Sequence, residues 1–257
     1  AGAFTLSAIE QAGLLGTISY DIAGQVAPAS NTTPGPAELA EKMATLVAAG
    51  GTHLVMEVSS HALDQDRTAG LQFAAGIFTN LTGDHLDYHG DMATYLQAKR
   101  KLFEALAADA VGVINRDDPQ ADTFAEACTG PVVWYGLSSD FYGRIDRIDA
   151  AGTAFTIITA GGEFPVDTPL IGRHNVYNCL AAASTAASLG VDDGTIGAAL
   201  HDIDRIPGRL ERVPSDRPFD VFVDYAHTHD ALDNVLSSLQ ALKQGRLIVV
   251  FGCGGDR

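Results

Sequence analysis

Three polar runs follow apolar stretches of the chain and bring carboxylate, imidazole and hydroxyl groups into close spacing. They are Glu57-Val-Ser-Ser-His61, Thr79-Asn-Leu-Thr-Gly-Asp-His-Leu-Asp-Tyr-His89 and Asp224-Tyr-Ala-His227. Glu57 comes directly after three apolar residues, at the point where strand should become loop, and a carboxylate there is costly to bury without a cation. A divalent metal is the simplest partner. With Asp84 and His85 at the end of a neighbouring strand, Glu57 and His85 offer one oxygen and one nitrogen ligand, a set that suits magnesium with water completing the octahedron. The competing reading has Glu57 capping a helix or pairing with Arg67, and His85 as a hydrogen-bonded loop residue. Spacing alone leaves both open.

Lys99 falls on a helix ahead of Lys101-Leu-Phe103, where a solvated surface lysine is the plainer reading. Gly252-Cys-Gly-Gly255 either presents backbone N–H groups to a phosphate or makes a tight turn. The chain has no G-x-x-x-x-G-K-[ST] sequence, so no segment by itself cradles the terminal phosphates of a nucleotide.

The elements that must position these groups follow from periodicity. Leu39, Met43, Leu46 and Val47 recur at helical spacing between Pro36 and Gly50 and predict a helix over 37–49. Strand-like runs at 53–58, 77–81, 111–115 and 132–135 alternate with helices over 92–106 and after Pro119. That alternation predicts an α/β fold with a mostly parallel sheet and helices on both faces. Ligands collect at the carboxyl ends of such strands, which is where the polar runs fall. From 140 to 172 the pattern changes to short strands at 145–148, 155–158 and 163–166 with Gly-containing turns, a small antiparallel addition. Helices over 175–189 and 192–200 come next. A strand at 219–224, a helix after Thr228 and a strand at 246–251 restart the alternation. Pro214 and Pro218 bracket a polar hinge, which predicts two domains, 1–213 and 214–257.

The 257 residues carry 32 acidic against 16 basic side chains, a net charge of −16. Such a surplus repels a phosphate backbone, so nucleic acid is excluded as a nonspecific partner and anionic substrates need a focused site. No apolar run reaches the ~18 residues of a membrane span, and residues 1–16 lack a basic leader. No membrane insertion is expected. Cys128, Cys179 and Cys253 are odd in number and far apart, which predicts reduced thiols in a cytoplasmic protein, with no disulfide and no thiolate zinc site.

Eight short blocks occur in one order over nearly the whole chain: Asn31-Thr-Thr-Pro34, Met56-Glu-Val-Ser-Ser-His-Ala-Leu63, Phe78-Thr-Asn-Leu-Thr-Gly-Asp-His-Leu-Asp-Tyr-His-Gly90, Ala98-Lys99 with Leu102-Phe103, Gly172-Arg-His-Asn-Val-Tyr-Asn178, Pro207-Gly-Arg-Leu-Glu-Arg212, Val223-Asp-Tyr-Ala-His227 and Val250-Phe-Gly-Cys-Gly-Gly-Asp-Arg257. Together they resemble the Mur ligases, and within them the group that adds the third residue of the peptidoglycan peptide to UDP-N-acetylmuramoyl-L-alanyl-D-glutamate. The resemblance implies a P-loop-like central ATPase domain without its phosphate loop and the opening of a Rossmann-like C-terminal domain. Family members begin with a uridine-binding domain, followed by a P-loop whose helix continues into a segment like 1–13, so the resemblance implies helix there. Their amino-acid-reading Asp-Asn-Pro-Arg motif lies beyond the match to Arg257.

By the same resemblance, Glu57 and His85 hold magnesium, and Lys99, carbamylated by carbon dioxide, joins them as an anionic ligand; these three are the catalytic residues. Asn31, Thr32, Thr33, Ser59, Gln65 and Arg67 would line the sugar-dipeptide site. Asn175, Asn178, Arg209, Asp224 and His227 would surround ATP. Asn175 and Asn178 stand one helical turn apart and can face one ligand together, with a capping role for Asn175 as the competitor. The implied reaction is ATP-dependent amide formation through an acyl phosphate, joining the sugar-dipeptide to a diamino acid, with meso-diaminopimelate preferred over L-lysine. A monomer is expected. The alternatives are a noncatalytic binding fragment and a related amide ligase such as folylpolyglutamate or cyanophycin synthetase. The Ser-Ser-His-Ala-Leu and Asp-His-Leu-Asp-Tyr-His blocks favour the Mur ligases.

Overall fold

The computed structural model describes residues 12–139, 141–203 and 206–252, apart from the side chain of residue 230. Short alternating stretches at the start build a four-stranded sheet of order β3-β2-β1-β4, from β1 (Ala12–Leu15), β2 (Ser19–Ile22), β3 (Gln25–Pro28) and β4 (His53–Met56). Ala23 and Gly24, both at positive φ, make the two-residue turn between β2 and β3. The chain returns through α1 (Pro36–Ala48), whose Leu39 and Leu46 pack on Leu15, Tyr20 and Ile22, and β4 then lies parallel to β1. β4 falls on the run expected at 53–58, whereas β1, β2 and β3 give too brief a periodic signal to read beforehand. Residues 12 and 13, expected to extend a helix, are strand; residues 1–11 lie outside the described residues.

After α2 (Ser60–Asp64) the second sheet begins with β5 (Ala75–Phe78). It continues past α3 (Leu86–His89) and α4 (Met92–Glu104) to β6 (Val111–Asn115), then past α5 (Ala121–Ala125) to β7 (Val132–Gly136). β5, β6 and β7 are parallel, and β8 (Phe141–Asp149) runs parallel to β7. β9 (Gly152–Thr159) and β10 (Gly162–Thr168) extend the same sheet antiparallel, giving the order β10-β9-β8-β7-β6-β5. The expected antiparallel addition is therefore continuous with the parallel part.

All five residues of β6 are buried, as a strand covered on both faces must be. Val111 and Val113 join the core beneath α6 (Arg173–Ser188) and α7 (Asp193–His201), while Ile114 joins Phe78, Phe103 and Phe124 beneath α4 and α5. The chain then forms β11 (Glu211–Val213), which pairs antiparallel with β12 (Val221–Val223), and α8 (His229–Leu242).

The strand expected at 246–251 does not form. None of the described strands pairs with this segment, and an apolar run without a ladder partner stays irregular, which leaves Ile248, Val250 and Phe251 exposed at 69%, 94% and 82%. No helix among the described residues is long and apolar enough to cross a membrane.

Phe124 is fully buried, stacked on Phe78 with centroids 3.9 Å apart and edge-on to Phe103 at 5.3 Å. Phe124→Ala is expected to lower the unfolding free energy by about 3–5 kcal/mol, read from the midpoint of a urea titration with an unchanged slope.

Candidate functional site

β1 and β4 end side by side, and the Glu57 N–H donates to the Leu15 carbonyl at 2.8 Å. The Glu57 carboxylate accepts from Thr17 Oγ1 at 2.6 Å, and the Thr17 and Thr32 hydroxyls stand 3.1 Å apart. Thr33, 1% exposed, donates to the Glu57 carbonyl and accepts from the Ser59 N–H, both at 2.9 Å. Ser59 caps α2 by accepting from the Ala62 N–H. Arg67 donates to the Thr33 carbonyl at 3.0 Å and, through Nε and Nη2, to Gln65 Oε1 at 3.0 and 2.6 Å. Thr32, Thr33, Ser59, Gln65 and Arg67 thus make one connected wall beside Glu57. Asn31 joins it through its backbone, whose N–H and carbonyl both bond the Tyr20 hydroxyl. Glu57 neither caps a helix nor pairs with Arg67.

His85 precedes α3 in the left-handed conformation, φ 55° and ψ 25°. A non-glycine residue there costs about 1–2 kcal/mol, and such strain gathers at functional sites. Asp84 supports it, Oδ1 accepting from the His85 N–H at 2.8 Å and Oδ2 lying 3.6 Å from Nε2. The His85 ring is 4.9 Å from His61 and 6.2 Å from Tyr95. His61 in turn lies 4.1 Å from Tyr88 and 5.5 Å from His89, whose Nε2 is 2.9 Å from Ser60 Oγ.

One turn beyond Tyr95 on α4, the Lys99 ammonium sits 5.1 Å from the Tyr95 ring. Lys99 is partly buried, contrary to the surface reading. Burial draws its pKa below the ordinary lysine value, with Asp84 opposing, and pushes the Tyr95 hydroxyl up to about 12. His85 and Lys99 therefore share Tyr95 and Asp84 as neighbours. Glu57 makes no ion pair or hydrogen bond with either and is linked to them along the chain through 58–61. Among the described residues no group of three or more His, Cys, Asp and Glu side chains is arranged to hold a metal.

The five residues expected around ATP divide into two groups. Asn175, 2% exposed, donates to the Ile171 carbonyl at 2.9 Å and accepts from Asn178 Nδ2 at 3.1 Å. The two amides bond each other, and Asn175 also holds the start of α6, the capping role weighed beside the ligand-facing one. Arg209 and His227 converge on Tyr225, with Asp224 holding the backbone beside it. The Arg209 guanidinium lies 5.7 Å and the His227 ring 5.2 Å from the Tyr225 ring. Asp224 accepts from the N–H groups of Leu210 and Ala226, both at 2.7 Å, and so fixes Leu210, which is buried and left-handed at φ 45°. His174 faces the same group. Burial lowers its pKa, Asp224 pulls it up and Arg209 pushes it down. Of the Gly cluster, residues 253–255 lie outside the described residues.

Residues 3–186 match the Mur ligase middle domain, and residues 208–257 match the Mur ligase glutamate ligase domain. The chain belongs to the Mur ligase family. Curated Mur ligase relatives include the UDP-N-acetylmuramoyl-L-alanyl-D-glutamate--2,6-diaminopimelate ligases of Geobacter metallireducens and Geobacillus kaustophilus. The first is 46% identical over 95% of this chain and 49% of its own length, the second 41% identical over 96% and 52%. A solved structure of a ligase with the same name superposes with a TM-score of 0.74 at 33% identity, covering 96% of this chain and 51% of the other. A MurF structure from Acinetobacter baumannii shares the fold at a TM-score of 0.70 and 21% identity, over 82% of this chain and 48% of its own. The chain spans about half the length of the curated relatives it matches.

Within this Mur ligase chain, sequence reasoning passed over Thr17, the ring cluster of His61, Tyr88, His89 and Tyr95, and His174. It also passed over the carboxyl end of β6, where Asn115-Arg-Asp-Asp118 obeys the same strand-end rule as Glu57. Asp117 there accepts from the Leu137 N–H at 2.6 Å and from the Tyr177 hydroxyl at 2.8 Å, tying β6, the end of β7 and α6 together. Thr17 gave no signal, because only the β1–β4 pairing places it beside Glu57.

Thr33→Val keeps the shape of the side chain but strands the Ser59 N–H and the Glu57 carbonyl. It is expected to cost about 1–3 kcal/mol, measured by chemical denaturation. His61 titrates below its ordinary 6.5 because of burial first, then His85 and His89, with Asp87 opposing. The unfolded chain then takes up the proton before the folded one, so stability is highest above that value and falls as pH drops through it. An NMR titration of the His61 ring should give a midpoint below 6.5, and the acid-side loss of stability should shrink in His61→Gln.

Proposed function

We propose that this chain is the catalytic middle of an ATP-dependent ligase that joins a diamino acid, meso-diaminopimelate, to UDP-N-acetylmuramoyl-L-alanyl-D-glutamate in cytoplasmic peptidoglycan synthesis. The names and 46% identity of its relatives support this. The observation that carries the chemistry is the partly buried Lys99 amine, whose charge is disfavoured where it meets Tyr95, beside Asp84 and His85. A neutral amine is the form that attacks carbon dioxide. Its nitrogen bonds the carbon, one proton leaves to solvent, and the product is a carbamate anion.

The residues present fit magnesium as a partner. The Glu57 carboxylate uses one oxygen on Thr17 and keeps the other without a hydrogen-bond partner among the described residues, and a single carboxylate, one imidazole and a carbamate leave places for water and phosphate. Magnesium, when bound, neutralises phosphate charge as phosphoryl transfer proceeds. Glu57, His85 and the Lys99 carbamate would hold it. Arg67 commits three of its five N–H groups to Thr33 and Gln65, so two remain for an anionic group of the sugar-dipeptide. Ser59 and Thr32 supply hydroxyls along the same wall. Positioned there, the D-glutamate carboxylate would attack the γ-phosphorus of ATP, ADP leaving as the bridging P–O bond breaks, to give an acyl phosphate; the incoming amine would then add to its carbonyl carbon, lose a proton and expel phosphate to form the amide.

Arg209, Asp224 and His227 would approach ATP from the side of the second domain. The division of the chain falls near residue 213, with the β11–β12 hairpin as the joint.

In the full-length gene product, Lys99→Ala is expected to lose about two to three orders of magnitude in kcat, in line with the removal of one preorganised electrostatic group. Formate or acetate should restore part of the loss. A carbamate carbon signal from ¹³C-labelled carbon dioxide should be present in the native protein and absent from the variant. Full activity in Lys99→Ala would eliminate the carbamate role.

A further inference from the structure

The backbone that leads into His85 is held by side chains from the two strands beyond β5. The β5–β6 ladder ends at Phe78 and Ile114. Past that point the Asn115 amide, on a residue only 8% exposed, donates to the Thr79 carbonyl at 2.7 Å. Asp118 accepts from the Leu81 N–H at 3.0 Å and from the Gln120 N–H at 2.8 Å. The Tyr135 hydroxyl, on a fully buried residue of β7, donates to the Phe78 carbonyl at 3.1 Å. Three side chains thus replace the missing ladder over 78–81, and four residues later the chain must adopt the strained, left-handed His85. A short loop can hold such a residue only if its base cannot relax.

We propose that Asn115 and Asp118 are positioning residues for His85, fixing the 79–84 loop so that the imidazole stands where the metal is to be held. This rests on the reading of His85 as a magnesium-binding group. Neither residue touches substrate; each acts through one backbone group of the loop. β6 suits that role, because a strand buried on both faces gives Asn115 and the turn that carries Asp118 a closely packed base.

The test uses the full-length gene product with Asn115→Ala, Asp118→Ala and the conservative Asp118→Asn, which keeps an oxygen acceptor for the Leu81 N–H. In the two alanine variants the magnesium concentration giving half-maximal activity should rise about 10–100-fold, the range for loss of a group that orients a metal ligand. KM for the sugar-dipeptide should hold, and Asp118→Asn should recover most of the loss. Amide exchange across 79–89 should accelerate without a matching change in the cores. Should an alanine variant fail to fold, Asn115→Asp, which sets a carboxylate against the Thr79 carbonyl, carries the same readouts. An unchanged magnesium requirement beside a raised one in His85→Ala would overturn the proposal, as would unchanged exchange at Leu81. If His85→Ala itself leaves the magnesium requirement unchanged, the metal reading fails and the positioning proposal with it. Accelerated loop exchange would then show that the two tethers are real but serve only structure.

Discussion

A parallel strand that stops leaves backbone N–H and carbonyl groups without ladder partners, and these must be bonded before anything can be built on the loop that follows. In this chain the partners are side chains. Thr33 bonds both the Glu57 carbonyl and the Ser59 N–H, Asn115 and Asp118 bond the loop after β5, and Asp224 bonds Leu210. Each is a short polar residue whose oxygen or amide reaches a main chain roughly one ladder spacing away. Glu57, Ser59 and His85 stand on or just beyond loops held in this way, whereas Lys99 is carried by α4.

Apart from Ala23 in the β2–β3 turn, the left-handed non-glycine residues among the described residues lie beside such tethers. Asp66, His85 and Leu210 are left-handed without being glycine, and each stands next to a proposed ligand-facing group or is one itself. A free loop would relax out of that conformation. Arg67 bridging Gln65 and Thr33, Asp84 bonding the His85 N–H and Asp224 bonding the Leu210 N–H hold the backbone on either side.

Charge follows a related logic. A chain of net charge −16 attracts an anionic substrate only where cations are concentrated and partly desolvated. Under the proposed reading only Arg67 would serve that purpose. Its guanidinium spends donors on the wall beside Glu57, whereas burial disfavours charge on the Lys99 amine. A carbamate on Lys99 would turn the second of these from a cation into a ligand for one.

The sequence by itself determined the alternation of the longer helices with strands between α1 and α8, though not the short α2, α3 and β11, together with the antiparallel addition at β8–β10 and the polar strand ends, because those features rest on local periodicity and residue type. It also carried the family, through short blocks kept in order. Only the tertiary structure decided that β1 pairs with β4 and sets Thr17 against Glu57, that Lys99 is withdrawn from solvent beside Tyr95, and that Asn175 and Asn178 turn toward each other. It also decided that 246–251, apolar enough for a strand, has no strand to pair with among the described residues. The physical reason is common to all four. Strand pairing and burial depend on which distant segments meet, and even between near neighbours such as Tyr95 and Lys99 or Asn175 and Asn178 the contact made depends on what else packs there, which no local pattern contains.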